Sequence, residues 1–283
     1  MRIDSLFIYP LKSARGIGLR NSDIDVFGLT GDRRAMLVDE SGHFITQREE
    51  PKLAQLAVHI EGAVLNLSAE DGFSVRAASR ADDQRMDVAI WRSVVNAALC
   101  DDHSCDALSS WLGRPVKLVV FDERSERIAS QEWAGDGTPV SFADGYQILV
   151  TTTASLNALN RELAELGIGS VPMARFRPNI VIDSDTPWAE DRWAAVEMGG
   201  IRFDFVKPCA RCIITTQDQL TGSRDVPDPM AAMGRIRMSA DRRVPGPLFG
   251  WNAVPRGVGT LRVDDEVKVL EQRPDGWPLK ARR

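Results

Sequence analysis

A chain of 283 residues is long enough for one large domain or two ordinary ones sharing an interface. Its 43% hydrophobic and 27% charged residues fit a globular protein with a substantial core, and a net charge of −5 argues against a general nucleic-acid binder. Four cysteines in so long a chain argue against a disulfide scaffold. No stretch approaches the roughly 18 continuous apolar residues of a membrane span, so a cytoplasmic protein without a membrane partner is expected.

The first 80 or so residues read as short β segments separated by turns. "RRAMLVDESGHFITQRE" sets two apolar runs on either side of Glu40-Ser41-Gly42, a hairpin signal. "GAVLNLSAEDGFSVRAA" repeats it across Asp71-Gly72. Next, "RSVVNAALCDDHSCDALSSWLG" reads as a helical patch of two short helices ending at Gly113, and "VKLVVF" as a strand. The polar connection from Phe121 to Gly137 is the best candidate for a mobile loop.

In the second half, "VSFADGYQILVTT" is strand-like at its end. "ASLNALNRELAELG" then places Leu156, Leu159, Leu163 and Leu166 on one helical face, with a Ser or Thr cap before it and Gly167 to end it. "PNIVID", the alternating Ile201, Phe203 and Phe205, "CIITT" and "EVKVLE" read as strands. Without regular βαβ alternation, the fold class is α+β, mostly β, built on β-barrels with a few flanking helices.

Chemistry concentrates in "FVKPCARCIITT", Phe205 to Thr216. Cys209 and Cys212 could be packed small residues, half of a zinc site completed by Cys100 and Cys105 with His103 between them, or a redox dithiol. They could also offer one thiolate to a soft-accepting metal. Lys207 and Arg211 flank the thiols, and cations favour thiolate. Spacing decides no further. His43, His59 and His103 form no metal-ligand pattern, and "GIGS" and "GVGT" lack the context of nucleotide loops.

"FVKPCARCIITTQDQLTG" resembles the hallmark segment of MOSC-domain proteins, the group that includes the mitochondrial amidoxime-reducing component and its bacterial relatives. Five further blocks follow in register: "YPLKSARGI", "GDRRAMLVDESGHFITQREEPKL" with its Asp-Arg and Thr-x-Arg, "VSFADGYQILV", "RFRPNIVID" and "PLFGWNAV". The resemblance implies a β-barrel-like N-terminal domain at 1–117, a MOSC β-barrel at 118–283, and molybdenum cofactor (molybdopterin with one molybdenum) between them. Pyridoxal phosphate is a disfavoured second cofactor.

By matching position, Cys212 is the catalytic molybdenum ligand, and Cys209 packs. Arg211 favours the Cys212 thiolate. Lys12, Ser13 and Arg33 anchor the cofactor's phosphate, and Arg177 and Asn179 orient the pterin. Asp144, Thr215, Thr216, Phe249 and Asn252 are more tentative positions. The implied reaction is reduction of a small N-hydroxylated or N-oxygenated substrate. No cysteine follows Cys212 to hold an iron–sulfur cluster, so electrons are expected from a separate ferredoxin, flavodoxin or cytochrome-type protein. The alternatives are a persulfide carrier and a cofactor-binding protein without turnover.

Overall fold

The computed structural model describes residues 1–79 and 83–281. Alternation decides its largest sheet. Along the strand Ile201–Ala210, Ile201, Phe203 and Phe205 bury on one side while Arg202 and Asp204 stay partly exposed. This strand pairs antiparallel with Trp193–Met198 on one flank and Leu248–Pro255 on the other. The eight-stranded sheet runs in the order Val267–Gln272, Trp193–Met198, Ile201–Ala210, Leu248–Pro255, Ile148–Thr152, Ile180–Asp183, Arg2–Ile8, Ile17–Leu19.

The last two strands of that order come from the start of the chain. Arg2–Ile8 pairs antiparallel with Ile180–Asp183, matching Leu6 to Ile180. Its Ile3, Leu6 and Ile8 share one core with Phe203, Phe205 and Trp251. The turn after Ile8 is thereby held against the second half of the protein, and this matters for the site.

The one parallel pair in this sheet, Ile148–Thr152 with Ile180–Asp183, is joined through the helix Thr153–Glu165. Thr152 caps that helix by accepting from the Ser155 N–H, and Gly167 follows it at φ 71°. Leu159 and Leu163 are fully buried with Phe176 and Phe249, whereas Leu166 stays exposed at the helix end.

A four-stranded sheet, Ala35–Val38, Lys117–Val120, Ser93–Leu99 and Arg85–Ile90, carries the first half's core with the three-stranded sheet Ala57–Glu61, Val64–Ser68 and Ser74–Ala77, whereas Asn21–Asp25, Gly28–Leu29 and Gly259–Arg262 pack on the core of the large sheet. The hairpin across Asp71-Gly72 forms between Val64–Ser68 and Ser74–Ala77. The hairpin at Gly42 forms only briefly: Val38 bridges Phe44, and the chain then turns away at Thr46.

Two expectations are corrected here. The segment 92–113 holds a strand, Ser93–Leu99, followed by a single helix, Asp102–Leu112. Val95, Ala97 and Leu99 alternate into a core with Val88 and Val119, so cross-strand packing overrides the helical propensity of the alanines. "IITT" is a single 3-10 turn, Ile213–Thr216, instead of a strand. Thr215 and Thr216 donate their hydroxyls to the carbonyls of Cys212 and Ile213, closing the backbone locally.

The connection from Phe121 to Gly137 is pinned. Within it, buried Arg127 donates to the carbonyls of Ser141, Ala143 and Asp144 at 2.8, 2.5 and 3.1 Å. It also contains the short helix Gln131–Ala134. Among the described residues, no helix is long and apolar enough to cross a membrane.

Candidate functional site

Three backbone positions in the left-handed region converge on one cleft. Ser13 (φ 67°), Arg33 (φ 47°) and Arg177 (φ 52°) are non-glycine residues in a conformation that L side chains disfavour. Such strain persists only where surrounding contacts over-determine it, and it clusters at functional sites. Here hydrogen bonds hold two of the three backbones. Gln47 Nε2 donates to the Ser13 carbonyl at 2.8 Å, and the Arg33 N–H donates to the Tyr9 carbonyl at 2.8 Å.

Arg33 and Arg177 form an interlocked pair across the two halves of the chain. Arg33 donates to Asp32 Oδ2 at 2.7 Å, to Asn179 Oδ1 at 3.1 Å and to the Arg177 carbonyl at 3.3 Å. Both guanidinium carbons lie over the Tyr9 ring, 4.3 and 4.2 Å from its centroid. Burial pushes the Tyr9 phenol up to about 12, so it stays neutral and donates to the Pro178 carbonyl. Arg177 reaches Gln219 Oε1 at 2.9 Å, while its Nη2 is buried without a partner.

Asn179 is fully engaged beneath them. Its amide donates to the Phe7 carbonyl at 3.1 Å and accepts from the Leu149 N–H at 3.1 Å as well as from Arg33. It therefore ties the first strand to the central sheet and fixes the Arg33 head. Lys12 is buried, donating to the Phe142 carbonyl at 3.0 Å and to Asp144 Oδ1 at 2.5 Å. Burial lowers the Lys12 ammonium from its ordinary value, opposed by Asp144.

The cysteines sit across from this cluster. Arg48 Nη2 donates to Cys212 Sγ at 3.3 Å. Arg211, expected to serve Cys212, instead donates Nη1 to Cys209 Sγ at 2.8 Å and Nη2 to the Phe176 carbonyl at 2.7 Å. Arg211 follows the irregular end of the strand Ile201–Ala210, and its guanidinium turns back onto Cys209. Burial raises the Cys209 thiol above its ordinary range, and Arg211 opposes that rise. Cys209 thus lines the cleft beside a cation, in place of the packing position expected for it.

Lys12, Ser13, Arg33, Asp144, Arg177, Asn179, Arg211 and Cys212 all line this one cleft. Five cations (Lys12, Arg33, Arg48, Arg177, Arg211) face one carboxylate, Asp144, in a chain of net charge −5. Arg211 Nε is a second buried donor without a partner. A concave surface of this kind concentrates positive potential and lacks an anion to satisfy it.

Asn252 also lines the cleft, but Thr215 and Phe249 do not: Thr215 closes the turn after Cys212, and Phe249 stacks on Phe176 at 3.8 Å. Thr216 likewise only closes that turn. Reading the sequence missed Thr46, Tyr146 and, above all, Arg48. The Thr-x-Arg block held Arg48, but nothing in its spacing shows that it reaches a sulfur 164 positions away. The composite zinc site does not form. Cys100 and Cys105 are buried in the aliphatic core of the first half, and no group of three metal-ligating side chains occurs among the described residues.

Residues 1–115 match the description "MOSC N-terminal beta barrel domain", and residues 137–268 match "MOSC domain". The chain is 28% identical to human mitochondrial amidoxime-reducing component 1 over 95% of its length and 83% of that protein. It is 26% identical to bovine mitochondrial amidoxime reducing component 2, over 95% of this chain and 83% of that one. A human molybdenum cofactor sulfurase is 27% identical across 79% of this chain, which spans only 27% of that protein.

Proposed function

The chain belongs to the MOSC-domain proteins, and from that premise we propose a molybdenum-cofactor enzyme that reduces N-hydroxylated or N-oxygenated compounds. The observation that carries the reading is a cationic cleft that holds a thiol at one side and five cations around it, with two buried guanidinium donors unsatisfied. A soft thiolate suits molybdenum, and the free donors suit an anionic cofactor carrying phosphate.

Cys212 would hold the metal. Arg48 would steady its sulfur through the hydrogen bond that it already makes. Lys12, Ser13 and Arg33 would anchor the phosphate. Arg177 and Arg211 would offer their unpaired N–H groups to the pterin, with Asn179 keeping Arg33 in position and Asp144 keeping Lys12 in place. When bound, the cofactor supplies the two-electron redox chemistry for cleaving the N–O bond. The balanced reaction takes up two electrons and two protons, breaks that bond and releases water. The electrons would come from a separate donor protein of the ferredoxin, flavodoxin or cytochrome type. The 1–117 and 118–283 division would place the site where strands of the two segments interleave.

A second reading has its own support. Arg48 on Cys212 would steady a persulfide as well as a metal ligand, and the molybdenum cofactor sulfurase is among the similar proteins. Elemental analysis separates the two. Near-stoichiometric molybdenum, lost in Cys212→Ser but kept in Cys209→Ser, with benzamidoxime converted to benzamidine under an artificial electron donor, is the expected result. Protein free of molybdenum but carrying labile sulfur on Cys212 would sink the enzyme reading.

A further inference from the structure

A second groove adjoins the cleft and shares Gly145 and Tyr146 with it. Its most unusual residue is Trp91. The strands Arg85–Ile90 and Ser93–Leu99 pair Ile90 with Ser93, leaving Trp91-Arg92 as a two-residue hairpin loop. Trp91 has φ 55°, at a loop position where such hairpins normally place glycine, and it is 49% exposed. That backbone is strained for any residue but glycine, and local propensity does not account for it.

What holds the ring in place is the site itself. The Arg48 guanidinium carbon lies 4.9 Å from the Trp91 ring centroid while Nη2 of the same group donates to Cys212 Sγ. Phe44 closes on the ring at 5.1 Å. Trp91 is therefore one guanidinium removed from the sulfur.

The groove's charge is one-sided. Arg92, Arg127 and Lys207 line it, and among the described residues no carboxylate does. Arg127 spends its donors on carbonyls, and no ion pair to it occurs among the described residues. Lys207 lies 5.1 Å from the Trp133 ring centroid and has no carboxylate partner among the described residues. Apolar contact is available from Trp91, Ile128 and Tyr146.

We propose that this groove binds a planar aromatic carboxylate, with the ring against Trp91 and the carboxylate on Lys207 and Arg92, so that the ring's N-oxygenated substituent enters the cleft at Cys212. This substrate class rests on the reductase reading above. The two fail separately under one pair of probes, benzamidoxime and 4-carboxybenzamidoxime, titrated calorimetrically into the cofactor-loaded full chain and then assayed for reduction.

The carboxylated probe should bind about tenfold more tightly, the scale of one charge-assisted hydrogen bond. That preference should shrink with added salt and vanish in Lys207→Gln with Arg92→Gln, while benzamidoxime binding holds. Trp91→Leu should weaken both probes alike. Equal affinities, or a preference that survives the double substitution, overturns the groove assignment even if both probes are reduced. A tenfold preference with neither probe reduced upholds the groove and overturns the reductase reading instead.

Discussion

Cys100 and Cys105 lie among Leu11, Leu37, Leu108 and Leu118 in the core of the first half, whereas Cys209 and Cys212 line a cleft crowded with guanidinium groups. In the core, burial pushes both thiols above their ordinary range and no cation opposes it. In the cleft, each sulfur accepts from its own arginine, Arg211 on Cys209 and Arg48 on Cys212. The same residue type is thus a small apolar filler in one place and, in the proposed function, a metal ligand in the other. The distinguishing feature is the charged partner, supplied to Cys212 from a distant part of the chain.

The largest expected effect breaks the contrast at its charged end. Arg48→Leu should lower molybdenum retention about 10–100-fold on dialysis against chelator, the usual scale for groups that orient a metal ligand. The fold should survive, because the Arg48 guanidinium lines the cleft and rests on the Cys212 sulfur and the exposed Trp91 instead of the hydrophobic core. Unchanged metal content in a variant with wild-type melting behaviour would remove Arg48 from the site.

The next effect acts at the apolar end. Cys100 is fully buried, and the neighbouring thiol of Cys105 reaches only its backbone carbonyl. Cys100→Ser should cost about 1–3 kcal/mol in chemical denaturation, because a hydroxyl replaces a thiol among aliphatic side chains. Cys100→Ala should cost less, and neither should change molybdenum stoichiometry. Loss of metal in Cys100→Ala would erase the distinction between the two pairs.

How far this contrast was legible in the sequence depends on contact range. The strands around Phe203 and the capped helix after Thr152 declare themselves by alternation and by their end residues. The strand Ser93–Leu99 was obscured because its inward positions are filled by Val95, Ala97 and Leu99, a short pattern in which alanine suits a helix equally. The site residues were legible through motif resemblance, and the structure brings all eight to one cleft. What stayed hidden was which arginine serves which sulfur. Proximity in sequence pointed Arg211 at Cys212, but its guanidinium reaches Cys209, and Cys212 is served by a residue from the other half.

The smallest effect tests that reassignment directly. Burial raises the Cys209 thiol, and the Arg211 guanidinium at 2.8 Å opposes the rise by favouring thiolate. Removing the cation in Arg211→Leu leaves burial unopposed, so the pH at which Cys209 becomes reactive must move upward. Iodoacetamide labelling of the cofactor-free protein across pH, read by peptide mass, should show this displacement for Cys209 and not for Cys212. If Arg211→Leu instead displaces Cys212 and spares Cys209, the two arginines have been assigned to the wrong sulfurs. Labelling that falls when the cofactor is bound would add that Cys209, though no ligand, borders the space that the cofactor fills.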